Sequence, residues 1–277
     1  MIWYDNMDAL DNKPRSIERY RVYLTSHKGA VRDNNEDNFA VNDVAKKLDQ
    51  KNVSFIADHD APLFAAVFDG MGGESKGEYA SYISAKVGNS FYNTMKDNPE
   101  TPLDLLAGEF IQRANNKIRD FLEENRCTTG GSTVVAAVFR NEIIYPFSLG
   151  DSRIYLFRGG KLTQISKDQT LAMKKYEANI YTLEEAEKSV DSHKLTAFLG
   201  VDYYRQGVKP QYYDAIVMQP ADKLLLCSDG LYDEVSLSEI QDTIINYPDN
   251  PAFELARTAI KNGGGDNVTC MVIERAL

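Results

Sequence analysis

The sequence predicts an α+β protein in which stacked, mainly antiparallel sheets are covered by helices. Strand candidates follow one another in runs, and helix candidates occur in pairs instead of after each strand. Connections of about two residues within one run are too short for parallel crossovers, which need roughly a dozen residues or more. Strands and helices that are separated in this way favour antiparallel sheets with helices on their outer faces.

Strands are predicted where β-branched or apolar segments end in turn residues. These segments are 20–25, 37–41, 62–70, 132–139, 142–150, 152–160, 212–218, 223–230 and 267–274. Arg140-Asn141 and Gly150-Asp151 separate the three segments between 132 and 160. We expect these three strands to form a meander of antiparallel hairpins.

Two long helices are predicted over 75–93 and 102–123, because apolar residues recur there with the helical period. Two further helices close the chain. A capping box, in which Ser236 precedes Glu239 by three residues, begins one, and Asn250-Pro251 begins the other.

Another capping box, Thr182 with Glu185, predicts a short helix within the polar segment 168–200. We expect this segment to be a mobile surface flap. Residues 43–60 are interpreted as a polar insert, residues 1–18 as an N-terminal extension, and 19–277 as a single domain.

Composition excludes several classes of protein. Hydrophobic residues make up 43% of the 277 residues, and apolar runs such as LFAAVF are far shorter than the roughly 18 residues that span a membrane. The acidic start of the chain does not resemble a signal peptide. The net charge of −10 argues against nucleic acid as a partner, and three cysteines without a CxxC pair fit a reducing cytoplasm.

Acidic residues stand at the ends of several predicted strands. They are Glu36, Asp37, Asp69, Asp151, Asp229 and Asp266. Any one of them alone is better explained as a turn residue. Gathered at one edge of a sheet, however, they would repel one another unless a cation lay among them. Carboxylates without His or Cys select magnesium, manganese or calcium over zinc.

Two further features accompany the carboxylates. Glycines from Gly70 to Gly77 stand at the start of a predicted helix, where the backbone can approach an ion and the Gly70 carbonyl can serve as a ligand. Arg32, four residues before Glu36, can bind a phosphate with two of its guanidinium nitrogens. A flexible turn and an ordinary surface arginine are the alternatives.

The ordered motifs RDNNED, FDGMGG, GGSTVV, LGDSRIYLFRGGKLTQISKDQT, LTAFLG, LLLCSDGLYDEV and GGGDNVTCMVI cover nearly the whole chain. Together they resemble the metal-dependent Ser/Thr protein phosphatases (the PPM, or protein phosphatase 2C-like, family) in their bacterial form. The resemblance implies a four-layer α/β/β/α sandwich with a two-metal centre at one end, between the two sheets.

The resemblance also implies the metal ligands. Asp69 would bridge two metal ions, Asp229 and Asp266 would hold one of them, and Glu36 and the Gly70 carbonyl would hold the other.

Further roles follow from the same resemblance. Asp37 would act through a bound water, and Asp151 together with Asp229 would form a third, weaker metal site. Arg32 would bind the substrate phosphate, so that Arg32 and Asp69 are the predicted catalytic residues. Asn267 would shape the loop beside Asp266.

The implied activity is hydrolysis of phosphoserine and phosphothreonine in proteins by a metal-activated water, without a covalent intermediate. Two or three Mn²⁺ or Mg²⁺ ions are the implied cofactors. We expect a cytoplasmic monomer that acts on a phosphoprotein substrate of a Ser/Thr kinase, with neither nucleic acid nor membrane as a partner.

Met71 departs from the pattern of many eukaryotic relatives, which have a His there as the proposed general acid. A metal-bound water is our first expectation for the proton donor. A phosphatase-like module that binds a phosphoprotein without turnover is the alternative, and a structural calcium-binding protein is a third. The retention of every expected carboxylate favours the enzyme.

Overall fold

The computed structural model describes residues 18–72, 76–201 and 208–276. The predicted N-terminal extension lies outside this part of the chain, except for Glu18. The strands are β1 (Arg19–His27), β2 (Asn38–Val41), β3 (Val44–Ala45), β4 (Asn52–Asp60), β5 (Leu63–Phe68), β6 (Gly70–Met71), β7 (Gly131–Ser132), β8 (Val134–Arg140), β9 (Ile143–Leu149), β10 (Arg153–Arg158), β11 (Lys161–Gln164), β12 (Gln211–Tyr212), β13 (Ile216–Val217), β14 (Lys223–Cys227) and β15 (Val268–Arg275).

The helices flank these strands or lie in the flap. They are α1 (Lys76–Asp97), α2 (Leu103–Glu124), α3 (Leu171–Glu177), α4 (Leu183–Lys188), α5 (Asp229–Tyr232), α6 (Leu237–Asn246) and α7 (Pro251–Asn262). Among the described residues, no helix combines the length and the apolar character that a membrane crossing requires.

Two large antiparallel sheets form the centre of the molecule. The six-stranded sheet has the order β11-β10-β14-β15-β1-β4, and the seven-stranded sheet has the order β12-β9-β8-β5-β2-β3, with β13 also paired to β9. A separate two-stranded sheet joins β6 to β7. This arrangement confirms the α+β prediction.

Three apolar cores separate the layers. In β5, Leu63 and Val67 pack into the core between the two sheets, whereas Phe64 and Phe68 pack into the core beneath α1 and α2. Alternate residues of a strand point to opposite faces, and both faces are covered here, so the whole segment is apolar. A third core, which includes Leu255, joins the six-stranded sheet to α6 and α7. The layers therefore follow the order α/β/β/α.

The predicted three-strand meander is wrong. β8 and β9 pair as expected, but β10 pairs with β11 and β14 in the other sheet. The chain changes sheet at Gly150, whose φ of +109° is left-handed and whose missing side chain leaves room for Thr133. A short connection is compatible with either path, so the sequence did not distinguish them.

Other differences are local. The supposed polar insert contains β4, an edge strand that pairs with β1 along its full length. The predicted strand 212–218 is split into β12 and β13, and β14 ends before Asp229, which begins α5 instead.

The flap is anchored to the body of the protein. Backbone bridges join Ser132 to Leu199, and within the flap Thr170 to Leu195. The predicted capping box of α4 is present, since Thr182 and Glu185 bond each other's backbone. The segment therefore packs against β7 beside the end of the sandwich.

Candidate metal centre

The predicted carboxylates converge at one end of the sandwich, where strands of both sheets end or begin. Asp69 follows β5, Asp151 lies at the change of sheet between β9 and β10, and Asp229 follows β14. Burial is the main cause that raises the pKa of Asp69, and the charges of Asp229, Asp37 and Asp151 raise it further. Residues that are far apart in the chain are thus brought within electrostatic reach of one another.

Asp69 and Asp229 are in direct contact. The two carboxyl groups lie close enough to share a proton through a hydrogen bond when one of them is protonated. Burial, followed by the charges of Asp233 and Asp266, raises the pKa of Asp229 to about 6. A cation between these carboxylates would replace the shared proton.

Asp37 is fully enclosed. Its Oδ2 accepts hydrogen bonds from the hydroxyls of Ser228 at 2.8 Å and Thr269 at 2.7 Å. Burial raises the pKa of Asp37 to about 7, although these two bonds oppose the shift. The side chain is therefore held in one orientation by neighbours that favour its ionised form.

Asp151 is oriented through its backbone. The hydroxyl of Tyr232 donates to the carbonyl of Asp151 at 3.2 Å, and the guanidinium of Arg153 lies 3.6 Å above the Tyr232 ring. Arg153 is held in turn by a bidentate ion pair with Asp168. Burial and the charge of Asp229 raise the pKa of Asp151.

Glu36 and the Gly70 carbonyl face one small space beside α1. A Cβ atom placed on Gly77 would lie 2.5 Å from Glu36 Oε2 and 2.8 Å from the Gly70 oxygen. The absence of a side chain at Gly77 therefore keeps open a cradle lined by two oxygen atoms. Burial raises the pKa of Glu36, while the charge of Arg32 lowers it.

Asn267 fastens the loops around this cradle. Its Nδ2 donates to the carbonyls of Lys28 at 2.9 Å and Asn34 at 2.8 Å, and its Oδ1 accepts from the backbone N–H of Glu36 at 2.7 Å. The side chain thereby fixes the position of Glu36 relative to Asp266, the residue before it.

Arg32 lies at the exposed rim of the site. Its Nη2 donates to Asp266 Oδ2 at 2.8 Å, and both side chains are about half exposed. The guanidinium retains further donors that face solvent, so it can bind an anion that approaches the carboxylates.

The donor set fits divalent cations that prefer oxygen. The carboxylates of Asp69, Asp229, Asp266 and Glu36 and the carbonyl of Gly70 are available, and burial makes an uncompensated charge on Asp69, Asp229 and Glu36 unfavourable. The open cradle at Gly77 provides the space for an ion. These residues could hold the two ions that the resemblance implies.

Sequence analysis missed the partners that orient the carboxylates. Ser228 and Thr269 hold Asp37, and Thr133 Oγ1 accepts from the backbone N–H of Asp69 at 3.1 Å. Ser228 stands next to the predicted ligand Asp229, and Thr269 stands three residues after Asp266, which is a usable signal for residues in this role. Thr133 is remote in sequence from every predicted ligand, so it had no such signal.

His193 and Asp233 were also missed. In the part of the chain that the structure describes, one group of His, Cys, Asp and Glu residues has ligand atoms that all lie within 4.8 Å of one another, and it comprises His193, Asp229 and Asp233. The spacing of Asp229 and Asp233 at i and i+4 could have indicated Asp233. No local sequence pattern distinguishes His193 from the other two histidines of the chain.

Known proteins resemble this chain in both sequence and structure. A family model described as Protein phosphatase 2C matches residues 45–256. The chain is 31% identical over 261 residues to the serine/threonine protein phosphatase PstP of Mycobacterium tuberculosis, covering 92% of this chain and 45% of that protein. It is 30% identical over 211 residues to the protein phosphatase PhpP of Streptococcus pneumoniae, covering 74% of this chain and 82% of that one.

A solved structure shares the fold. The crystal structure of the catalytic domain of PstP in complex with two manganese ions is 29% identical, with a TM-score of 0.74, and covers 94% of this chain and 100% of that one. The chain spans slightly less than half the length of the full PstP protein.

Proposed function

The chain belongs to the protein phosphatase 2C family, and on this premise we propose that it hydrolyses phosphoserine and phosphothreonine in proteins with two or three Mn²⁺ or Mg²⁺ ions as cofactors. The observation that carries the proposal is the convergence of buried carboxylates from both sheets behind an exposed arginine. When bound, a pair of divalent cations lowers the pKa of water towards neutrality and neutralises charge on the phosphoryl oxygens.

Different residues would bind the metal ions and the phosphate. In this proposal Asp69 would serve both ions, Asp229 and Asp266 would hold one of them, and Glu36 with the Gly70 carbonyl would hold the other. The charge of Asp229 that acts on Asp69, and the space shared by Glu36 and the Gly70 oxygen, support this division. Arg32 binds the phosphate from the solvent side and positions it against the carboxylate centre.

The hydroxyl groups beside the carboxylates have structural roles, so the proposal includes no covalent intermediate. Ser228 Oγ donates to Asp37 and accepts from the backbone N–H of Thr269, and it is fully buried. Thr133 Oγ1 accepts from Asp69 and bonds Ser152 Oγ at 2.7 Å. A hydroxyl engaged in this way is not free to attack phosphorus.

Turnover of a phosphopeptide in the presence of Mn²⁺ tests the proposal. We expect phosphate release that chelation abolishes and that Asp229→Asn reduces by at least about 100-fold, because the change removes one charged ligand. Asp58→Asn is the matched control, since Asp58 pairs with Arg21 at the surface of an edge strand. Turnover that survives both chelation and Asp229→Asn would refute the proposal, and tight phosphopeptide binding without turnover would favour a binding module.

Arg32→Ala tests the phosphate contact separately. A charge-assisted hydrogen bond contributes about 1.5–3 kcal/mol, so kcat/KM should fall about 10- to 100-fold. Arg21→Ala is the control, because Arg21 lies on the surface in an ion pair with Asp58. Equal effects of the two changes would contradict the assignment of Arg32.

The substrate, the cellular location and the oligomeric state are proposed from more general observations. We propose a phosphoprotein substrate of a Ser/Thr kinase, a cytoplasmic location and a monomeric state. The three cysteines are free thiols, which supports a reducing compartment. Light scattering after gel filtration measures the oligomeric state, and a mass above that of one chain would overturn the monomer.

A further inference from the structure

A groove of about 470 Å³ runs between α1 and α2 on the outer side of the helical layer, and none of the proposed metal ligands lines it. Its floor is apolar, since Val87 is buried and Ile83 and Phe121 are half-buried. At one end the ring of Phe121 stacks on Tyr79, with 4.9 Å between the ring centroids and 18° between the ring planes. Tyr79 is 40% exposed, so this ring pair is accessible to another aromatic side chain.

Three exposed cations border the groove. Lys86 belongs to α1, and Arg113 and Lys117 lie one turn apart on α2. Among the residues that the structure describes, none of the three forms an ion pair. Two carboxylates, Asp120 and Glu124, line the groove at the end of α2. The groove is therefore positive along most of its length, and it suits an acidic segment with apolar side chains.

The residues that precede Glu18 match this surface in charge and in spacing. Trp3, Met7 and Leu10 recur at i, i+4 and i+7, the spacing that places side chains on one face of a helix. Residues 1–12 carry three aspartates and no basic side chain. The chain itself thus contains a segment that combines apolar anchors with negative charge.

The point from which this segment extends lies near one end of the groove. Glu18 Oε2 accepts from the backbone N–H of Glu142 at 2.6 Å, and Arg140 of the same hairpin donates to the carbonyl of Pro99, between α1 and α2, at 2.9 Å. Glu18 and the α1–α2 connection therefore contact one hairpin turn. Residues 1–17 span up to about 55 Å when extended, whereas the 22 residues of α1 form a helix of about 33 Å. The segment is long enough to reach any part of the groove.

We propose that residues 1–17 bind this groove in their own chain, with Trp3 against the Tyr79–Phe121 ring pair and the aspartates beside the three cations. The direction of the chain agrees with this arrangement. Trp3 is the anchor furthest from β1 along the chain, and the ring pair lies at the end of the groove furthest from the α1–α2 connection. The inference goes beyond the proposed function and does not depend on it.

Weak contacts are sufficient because the segment is tethered. A short flexible linker gives an effective concentration on the order of 1 mM, so a dissociation constant of about 0.1 mM would keep the groove about 90% occupied. A contact about ten times weaker would lower the occupancy to about 50%. Salt at about 1 M screens exposed charges and should lower the occupancy in the same direction.

Fluorescence of Trp3 tests the proposal without a label, because Trp3 is the single tryptophan of the chain. In the folded 277-residue chain we expect emission at shorter wavelength than in the unfolded chain, and protection of Trp3 from quenching by acrylamide. The double variant Lys86→Glu/Lys117→Glu should shift the emission to longer wavelength and increase the quenching. Lys161→Glu/Lys261→Glu, which reverses two exposed lysines in β11 and α7, is the matched control and should change neither. All four lysines are exposed, so circular dichroism should be unchanged in both variants.

Exchange of the charges provides the second measurement. Asp8→Lys/Asp11→Lys should expose Trp3 as the groove variant does. Its combination with Lys86→Glu/Lys117→Glu should restore part of the protection, because opposite charges then face each other again.

Two results would overturn the inference. One is a Trp3 side chain that acrylamide quenches equally in the folded and the unfolded chain, and the other is protection that Lys86→Glu/Lys117→Glu leaves unchanged. Protection that is lost on dilution, together with a mass of two chains in light scattering, would also overturn it, because a second copy would then supply the segment. Phosphate release enters none of these measurements, so their outcome is independent of the proposed function.

Discussion

Metal-free protein should lose stability as the pH rises from about 5 to about 7.5. Burial raises the pKa of Asp37 from 3.8 to about 7 in the folded state, so between these values the folded chain holds a proton that the unfolded chain has released. The stabilisation from this proton is complete below the unfolded pKa and is lost as the pH rises through the folded pKa.

The size of the effect follows from the shift. A change of about 3 pKa units at about 1.36 kcal/mol per unit corresponds to about 4 kcal/mol for Asp37 alone, of which about 2.5 kcal/mol is lost between pH 5 and pH 7.5. The pKa values of Asp69, Asp151 and Asp229 are raised in the same direction, although groups that interact do not contribute additively. A loss of this size is a large share of the 5–15 kcal/mol that stabilises a typical domain. For a chain of this length, the loss of about 2.5 kcal/mol between pH 5 and pH 7.5 lowers Tm by about 5–10 °C.

Ion pairs that favour high pH act outside this range. Ion pairing with Lys175 and Lys194 lowers the pKa of Asp191 to about 2, so its stabilising contribution is lost only as the pH falls below about 4. Mn²⁺ acts in the opposite sense to the buried protons, because its ligands must be deprotonated. The rise in Tm caused by Mn²⁺ should therefore grow with pH.

Thermal unfolding measured in chelator and in Mn²⁺ at intervals from pH 5 to pH 7.5 tests this reasoning. Asp37→Asn should flatten the pH dependence of the metal-free protein, whereas Asp58→Asn, which changes an exposed ion-paired carboxylate, should leave the slope unchanged. A metal-free Tm that stays constant or increases over this range would refute the argument.

Three further variants test the packing of the site and of the core. Gly77→Ala should abolish Mn²⁺ binding at the cradle, because the new Cβ would lie 2.5 Å from Glu36 Oε2. Gly108→Ala in α2, where the new Cβ would lie 3.5 Å from its nearest neighbour, should still bind Mn²⁺ in calorimetry. Equal Mn²⁺ binding by the two variants would contradict the assignment of the cradle as an ion site. Asn267→Ala should lower the free energy of unfolding in urea by about 2–3 kcal/mol and weaken Mn²⁺ binding, because three hydrogen bonds are lost. An unchanged urea midpoint would contradict this prediction. Phe110→Ala should lower the free energy of unfolding by about 3–5 kcal/mol, because the ring on α2 packs among other aromatic rings in the core between the helices and the seven-stranded sheet. A loss below about 1 kcal/mol would contradict that packing.

Elements defined by local interactions could be predicted from the sequence. The capping boxes at Thr182 and Ser236 are present, because both of their hydrogen bonds join residues three positions apart. Both long helices form close to their predicted ranges. Elements defined by pairing partners could not be predicted in the same way. β4 alternates only between exposed and half-buried residues, and β1 lies on its inner side, so its apolar signal is weak.

The candidate site shows the same division. Carboxylates that follow apolar strands can be recognised in the sequence, and the resemblance to a known family implied which of them bind metal ions. The hydroxyls that hold Asp37 stand near predicted ligands in the chain, but their contact with Asp37 is visible only in the folded structure, as is the proximity of the flap histidine to Asp233. Their roles depend on contacts between segments that are far apart in sequence, and local sequence patterns do not predict such contacts.

The change of sheet at Gly150 connects fold, stability and site. A continuous meander would have placed Asp151 in a hairpin at the edge of one sheet, whereas the crossing places it between the sheets, where the charge of Asp229 reaches it. Burial there costs stability as long as the carboxylates have no counter-ion, and the same cost increases the free energy gained when a cation binds. The three apolar cores supply the stability that allows the fold to retain this unfavourable cluster. The pH dependence of the metal-free protein and its affinity for Mn²⁺ should therefore change together in variants of these carboxylates, because both arise from the same buried charge.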